Sequence, residues 1–145
     1  MSKLRLLVTL LLSIFLLAPE VRAQQVTPAD ADQFQRIISD QITAFRADNG
    51  LAAYSYAAPA IKRIFPSPEI FMEMVRKGYR PVYRPIRFEF GDVTQEVQGR
   101  PTQQVTIIDE TGKAWSALYV FERQPDGSWK IIGCSLVQSA GEASS

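Results

Sequence analysis

The sequence predicts an α+β fold in which N-terminal helices pack on a curved, four-stranded antiparallel sheet. Three observations carry that prediction. Phe34, Ile37, Ile38, Ile42 and Phe45 recur at helical spacing and draw one apolar stripe along a long helix. After Gly78 the period changes, and from Ile86 apolar and polar residues alternate as in a half-buried strand. The alternating segments are separated by short turn sequences, Gln98-Gly99, Asp109-Glu110-Thr111-Gly112 and Pro125-Asp126-Gly127. Strands joined so tightly must run antiparallel, so the helices are followed by a meander.

Each element has its own signal. Thr27-Pro28 opens the first helix, because threonine caps and proline at the first helical position gives up no needed N–H. Asp30, Asp32, Gln35, Arg36, Asp40 and Arg46 fall on its polar side. Asn49-Gly50 is expected to supply the left-handed residue that ends it. A second helix over 51–57 is stopped by Pro59, which opens a short turn through Phe65. Ser67-Pro68-Glu69 starts another helix, and Gly78 ends it.

Residues 79–85 hold two X-Pro steps and are expected to be extended, outside any central strand. On the first strand Ile86, Phe88 and Phe90 share a face, opposite Arg87 and Glu89. The remaining strands are expected over 103–108, 114–123 and 128–137. On the third, Trp115, Ala117, Tyr119 and Phe121 face the long helix. Leu118 and Val120 make its other face apolar, a surface for a homodimer. Cys134 shares its face with Ile132 and Leu136 and reads as a buried, inert thiol.

Residues 1–23 read as a cleavable signal peptide. Lys3 and Arg5 precede an apolar run from Leu6 to Leu17, Pro19 interrupts it, and Ala23 offers the small residue for cleavage. The run is shorter than the roughly 20 residues a membrane span needs, so no stable membrane anchor is expected after cleavage. The expected organisation is a periplasmic or secreted protein with one domain over 24–138 and a disordered tail over 139–145. Cleavage removes Lys3, Arg5, Arg22 and Glu20, taking the formal charge from +1 to −1. That near-neutral balance argues against nucleic acid as a partner.

Two absences narrow the chemistry. The chain has no histidine, which removes the commonest general base and metal ligand and excludes a Ser-His-Asp triad. Its single cysteine permits no intramolecular disulfide, and no metal or other cofactor is expected. Among the carboxylates, Asp109, Glu110 and Asp126 fall in hairpins, while Glu89 and Glu122 alternate away from the aromatic face. A catalytic residue is therefore not assigned.

Several stretches carry a family likeness. They are AFRADNGLAAYSYAAPAIKRIFPSPEIFMEMVRKGYRPVYRP at 44–85, Gln103-x-Val105, the hairpin at Gly112, and the closing PDGSWKIIGCSL. The most specific parts are Ser67-Pro68-Glu69-x-Phe71-x-x-Met74-Val75, Tyr79-x-Pro81 and Asp126-Gly127-x-Trp129-x-Ile131. Over 38–137 the chain resembles the bacterial exported family catalogued as domain of unknown function 4864. The resemblance implies a nuclear transport factor 2-like, cystatin-like cone, a fold that encloses pockets in ligand binders and in ketosteroid isomerases. It carries no activity and no catalytic residue.

Candidate ligand-binding residues follow from side-chain type. Tyr54, Tyr79, Tyr83, Trp115 and Tyr119 each offer an apolar ring with a polar tip, suited to lining a cleft. Arg76, Lys77, Arg80, Arg84 and Arg87 cluster without an acid between Glu73 and Glu89, and Arg80 and Arg84 are placed on the cleft rim. The plainer reading makes the rings core and the cations a solvated collar. The leading expectation is a non-catalytic binding module for a small anionic or amphipathic ligand. The alternatives are a homodimerising protein–protein module without a pocket, and an isomerase or lyase of the ketosteroid-isomerase type.

Overall fold

The computed structural model describes residues 25–139. The segment read as a signal peptide and the tail beyond Ser139 lie outside the described residues. Helix α1 (Pro28–Arg46) begins with a reciprocal cap. The Asp30 N–H donates to the Thr27 hydroxyl at 3.1 Å, and the Thr27 N–H donates to the Asp30 carboxylate at 3.0 Å. Its stripe of Phe34, Ile38, Ile42 and Phe45 is buried.

The stop after α1 differs from the sequence expectation. Asp48, with φ 51°, takes the left-handed conformation, and Asn49 caps the next helix by accepting the Ala52 N–H at 3.1 Å. Gly50 is then the first residue of α2 (Gly50–Ser55). It is small for packing, because a Cβ there would stand 2.9 Å from Met72 Cγ in the core. Gly50→Ala is expected to cost about 1–3 kcal/mol by overpacking. The midpoint of a urea denaturation curve measures this, and an unchanged midpoint would contradict the tight contact.

Helices α3 (Pro59–Ile64) and α4 (Pro68–Gly78) each begin at a proline, as the punctuation predicts. The segment expected to be extended instead forms a helical turn, α5 (Arg80–Tyr83). Proline's fixed φ suits a first turn, and Pro81 occupies one; the flanking Tyr79 and Arg84, the latter before Pro85, lie outside the helical region.

The sheet is an antiparallel meander of β1 (Arg87–Val97), β2 (Arg100–Ile108), β3 (Ala114–Arg123) and β4 (Trp129–Gln138), in that spatial order. Gln98 and Gly99 both have positive φ, the backbone that a two-residue hairpin requires. Strand β2 starts earlier than its alternation suggested. Pro101 is accommodated there because β1 carries an extra residue opposite it, between Thr94 and Val97. Ile86, expected to share a face of the first strand with Phe88 and Phe90, precedes β1 and is exposed.

A further extra residue, Ile132, interrupts β4 opposite Val120 and Phe121. Cys134 consequently pairs with Tyr119 and Leu136 with Ala117, while Ile132 falls out of their register. These bulges bend the sheet around α1. Phe34 stacks on Phe121 with ring centroids 4.2 Å apart and meets the edge of Trp129 at 5.0 Å. On the opposite face of β3, Val120 is buried beside Thr102 and Leu118 is half-buried beside Gln104.

Asp30 corrects the polar side read for α1. It is only 6% exposed, accepts the Trp129 indole N–H at 3.0 Å, and stands 3.8 Å from Arg123. The start of the long helix is thereby tied to the last strand. The protein is thus α+β, with helices covering one face of a curved four-stranded sheet.

Candidate functional site

The curve of the sheet and the breaks between the helices leave a cavity of about 380 Å³ between them. Gln41 and Phe45 of α1 close one side, and Ile61 and Phe65 of the α3 segment another. Met74, Val75 and Tyr79 come from the end of α4 and its cap, and Tyr119, Ile131 and Cys134 form the sheet wall. The proline-led restarts matter here. They hold α3 and α4 as separate short rods around the opening, where a continuous helix would fill it.

The polar groups of this wall are few. The Gln41 side-chain amide N–H donates to the Ala53 carbonyl at 3.1 Å, which fixes its orientation. Tyr119 is 1% exposed and its hydroxyl has no hydrogen-bond partner. A buried hydroxyl left unpaired costs about 1–3 kcal/mol. Beside it in register, Gln103 spends its side-chain N–H groups on the Gly91 and Gln104 carbonyls, at 2.8 and 2.9 Å. Its Oε1 is likewise buried and unpartnered.

Burial governs the titration of the cavity wall. Desolvation pushes Tyr119 well above the usual tyrosine range and raises Tyr79 as well, with the adjacent Cys134 adding to both. Cys134 is half-buried as a residue, but its thiol is desolvated enough to be pushed up to about 12. All three groups therefore hold their protons at neutral pH. No carboxylate lines the cavity. Among the described residues, no three histidine, cysteine, aspartate or glutamate side chains gather to hold a metal.

Of the residues singled out in the sequence, Tyr79 and Tyr119 line this cavity. Tyr54 lies behind it: its hydroxyl donates to the Phe65 carbonyl at 2.6 Å and its ring packs on Phe71. Trp115 donates its indole N–H to Asp109 at 2.8 Å in the β2–β3 hairpin. Tyr83 and Arg84 belong to a separate cluster. The Tyr83 hydroxyl donates to Asp48, and its ring carries the Arg84 guanidinium at 3.9 Å, with Arg76 and Arg80 each at 5.7 Å.

Lys77 pairs with Glu73 at 2.6 Å within α4, while the acids that meet Arg76, Arg80 and Arg84 come from elsewhere in the chain. Arg84 and Arg76 pair with Asp48 at 3.0 and 3.7 Å, and Arg80 pairs with Glu110 at 3.1 Å. Arg84 also donates to the Phe45 carbonyl, which seals the end of α1. Asp48 is held below the usual carboxylate range chiefly by the Tyr83 hydrogen bond, with Arg84 and Arg76 adding to it. These contacts fasten the α4–α5 corner to the end of α1.

Asp109 shows the same fastening in the hairpin. It accepts from the Thr111 hydroxyl and N–H at 2.7 and 2.8 Å, from the Lys113 N–H at 3.0 Å, and from Trp115. The Thr111 hydroxyl and then the Trp115 indole are the largest causes that hold its carboxyl down at about 2. A depressed carboxylate contributes stability that is present above its unfolded value of 3.8 and is lost as pH falls toward 2. The melting temperature is expected to fall across that window, and less steeply in Asp109→Asn. Equal slopes in scanning calorimetry would contradict this.

Sequence reasoning missed Gln41, Phe45, Met74, Val75 and Ile131 as cavity residues. Gln41 alone had a signal: it stands three residues after Ile38 and four before Phe45, on the apolar stripe itself. The others look like core in any sequence.

No curated protein and no solved structure matches the chain. The family model described as domain of unknown function (DUF4864) matches residues 27–144, a span that includes every element around the cavity. The chain belongs to that family, domain of unknown function 4864.

Proposed function

We propose that this protein is an exported, non-catalytic binding module that holds a small amphipathic ligand in the cavity between α1, α3, α4 and the β3–β4 wall. The supporting observation is the cavity itself: about 380 Å³, walled by aliphatic and aromatic side chains, with one buried, unpartnered hydroxyl on Tyr119. Small-molecule sites are concave, mostly apolar and equipped with a few polar groups, in volumes of about 300–1,000 Å³. Tyr79 and Tyr119 are the binding tyrosines in this reading. The helices wrapped over a bent sheet suit the nuclear transport factor 2-like cone, and a leader ending at Ala23 suits delivery to the periplasm.

A titration with the neutral dye N-phenyl-1-naphthylamine tests the site. Saturable, blue-shifted emission is expected for the native protein. Ile61→Trp, which adds bulk at a half-buried cavity residue, is expected to weaken dye binding at least tenfold while leaving the circular dichroism spectrum unchanged. Equal binding by both proteins would place the dye elsewhere. Export is tested separately, by N-terminal sequencing of protein recovered from the periplasm: Gln24 is the expected first residue.

A further inference from the structure

We propose that the face made by α2, α3 and the start of α4 docks on the surface of an anionic lipid bilayer, whether or not the cavity is filled. Among the described residues five large hydrophobic side chains are exposed, and three of them belong to this face: Leu51 (74%), Ile64 (67%) and Ile70 (46%). Tyr54 draws the three together. It lies one turn after Leu51 on α2, its hydroxyl donates to the Phe65 carbonyl beside Ile64, and its ring packs on Phe71 beside Ile70. Gly50, next to Leu51, lies against the first turn of α4, where a Cβ on it would stand 3.8 Å from Pro68 Cβ. Exposed aliphatic side chains gathered in this way mark a contact surface.

The charge on this face has one sign. From Gly50 to Pro68 the sequence carries Lys62 and Arg63 and no acid. Neither cation forms a salt bridge, and Lys62 rests over the Tyr54 ring at 4.9 Å. The acids that bound the stretch are engaged, Asp48 by Arg84 and Arg76, and Glu69 by the first turn of α4, whose dipole favours it. The hydroxyls are also taken. Those of Tyr54 and Ser55 donate to the Phe65 and Ala52 carbonyls, each at 2.6 Å, and that of Ser67 accepts the Ile70 N–H at 3.2 Å.

What remains is aliphatic surface and two cations on long stems. A bilayer of anionic lipid matches that pair, because apolar side chains enter the acyl boundary while lysine and arginine reach the headgroup phosphates. A protein partner would meet few free hydrogen-bonding side chains here. A second copy fits less well still, since a two-fold contact sets Lys62 and Arg63 against their own counterparts with no acid on the face to meet them. The α3 segment also gives Ile61 and Phe65 to the cavity wall, so docking brings that wall to the lipid, where amphipathic molecules partition.

Tryptophans introduced at exposed positions test the face. Ile64→Trp and, as a control, Val137→Trp on the last strand are mixed with vesicles of equal parts phosphatidylglycerol and phosphatidylcholine. After subtraction of the native signal, emission from position 64 is expected to shift to the blue and to be quenched by lipids brominated on the acyl chain. Emission from position 137 is expected to do neither. Attachment through another segment, the apolar run at 6–17 included, would leave both positions unquenched. In Ile64→Trp, adding either Arg63→Gln or Leu51→Ser is expected to weaken vesicle binding about fivefold. Vesicles of phosphatidylcholine alone are expected to bind at least about tenfold more weakly.

Positions 64 and 137 behaving alike, or equal binding to the two kinds of vesicle, would overturn the proposal. So would self-association of the native protein in sedimentation equilibrium that is lost in the double variant Leu51→Ser, Ile64→Ser, because the face would then belong to a second copy. The cavity reading survives any of these results, since it is tested by the Ile61→Trp dye titration.

Discussion

Phe34→Ala is expected to destabilise the protein by about 3–5 kcal/mol, the range for removing a buried phenylalanine from a close-packed core. Phe34 has no exposed surface and joins the helix to the sheet through two rings, stacked on Phe121 and edge-on to Trp129. Truncation removes both ring contacts and leaves a void flanked by two rigid aromatics, neither of which closes it by a rotamer change. Urea denaturation followed by tryptophan emission measures the loss, and Trp129 stands beside the change. Phe34→Leu refills part of the volume and is expected to recover roughly half of the loss. A loss below about 1 kcal/mol for the alanine variant would mean that the aromatic cluster is not where the helix is held.

Asp30→Ala is expected to cost about 2–4 kcal/mol, by two routes. Half of the reciprocal cap at the start of α1 is lost, the bond from the Thr27 N–H to the Asp30 carboxylate, at about 0.5–1.5 kcal/mol, while the Thr27 hydroxyl still accepts the N–H of residue 30. The Trp129 indole N–H also loses its acceptor inside the core, which adds about 1–3 kcal/mol. The two bonds go to different carboxylate oxygens, so Asp30→Asn keeps an acceptor for only one of them and is expected to lie between the two proteins. The backbone hydrogen bond to Thr27, followed by the Trp129 indole, holds the Asp30 carboxyl below its usual range. Its contribution is therefore present above pH 4 and lost on acidification below it, and the asparagine variant should not share that loss. Equal acid sensitivity in both proteins would assign the effect to other carboxylates.

Much of the fold was legible because each element announced itself locally. The stripe from Phe34 to Phe45, the proline-led starts at Pro28, Pro59 and Pro68, and the turns at Gly99, Gly112 and Gly127 all act within a few residues of themselves. The departures are tertiary. Asp48 takes the left-handed position because Asn49 is engaged in capping and Gly50 is needed for its small size beside Met72. Residues 80–83 coil because the ring of Tyr83 is gathered among three arginines and its hydroxyl is held by Asp48, contacts that no local pattern displays.

The site was legible only in part for the same reason. An apolar cavity is lined by the residue types that build a core, so Val75 and Ile131 read identically in either role. Arg80 and Arg84 read as a free cationic rim because their partners, Glu110 and Asp48, are about 30 residues distant or more in the chain. Tyr119 was identified from its amphipathic side chain and its place among Trp115, Ala117 and Phe121. That its hydroxyl is left without a partner depends on Gln103, whose orientation is set by carbonyls on two strands.

Native mass spectrometry of the purified protein tests the binding claim most directly, because it reads occupancy without assuming a ligand. A species heavier than the bare chain by the mass of one small molecule is expected, released by mild organic solvent and absent from Ile61→Trp. The bare mass of the chain in both proteins, under conditions that retain apolar ligands in a control binding protein, would contradict it.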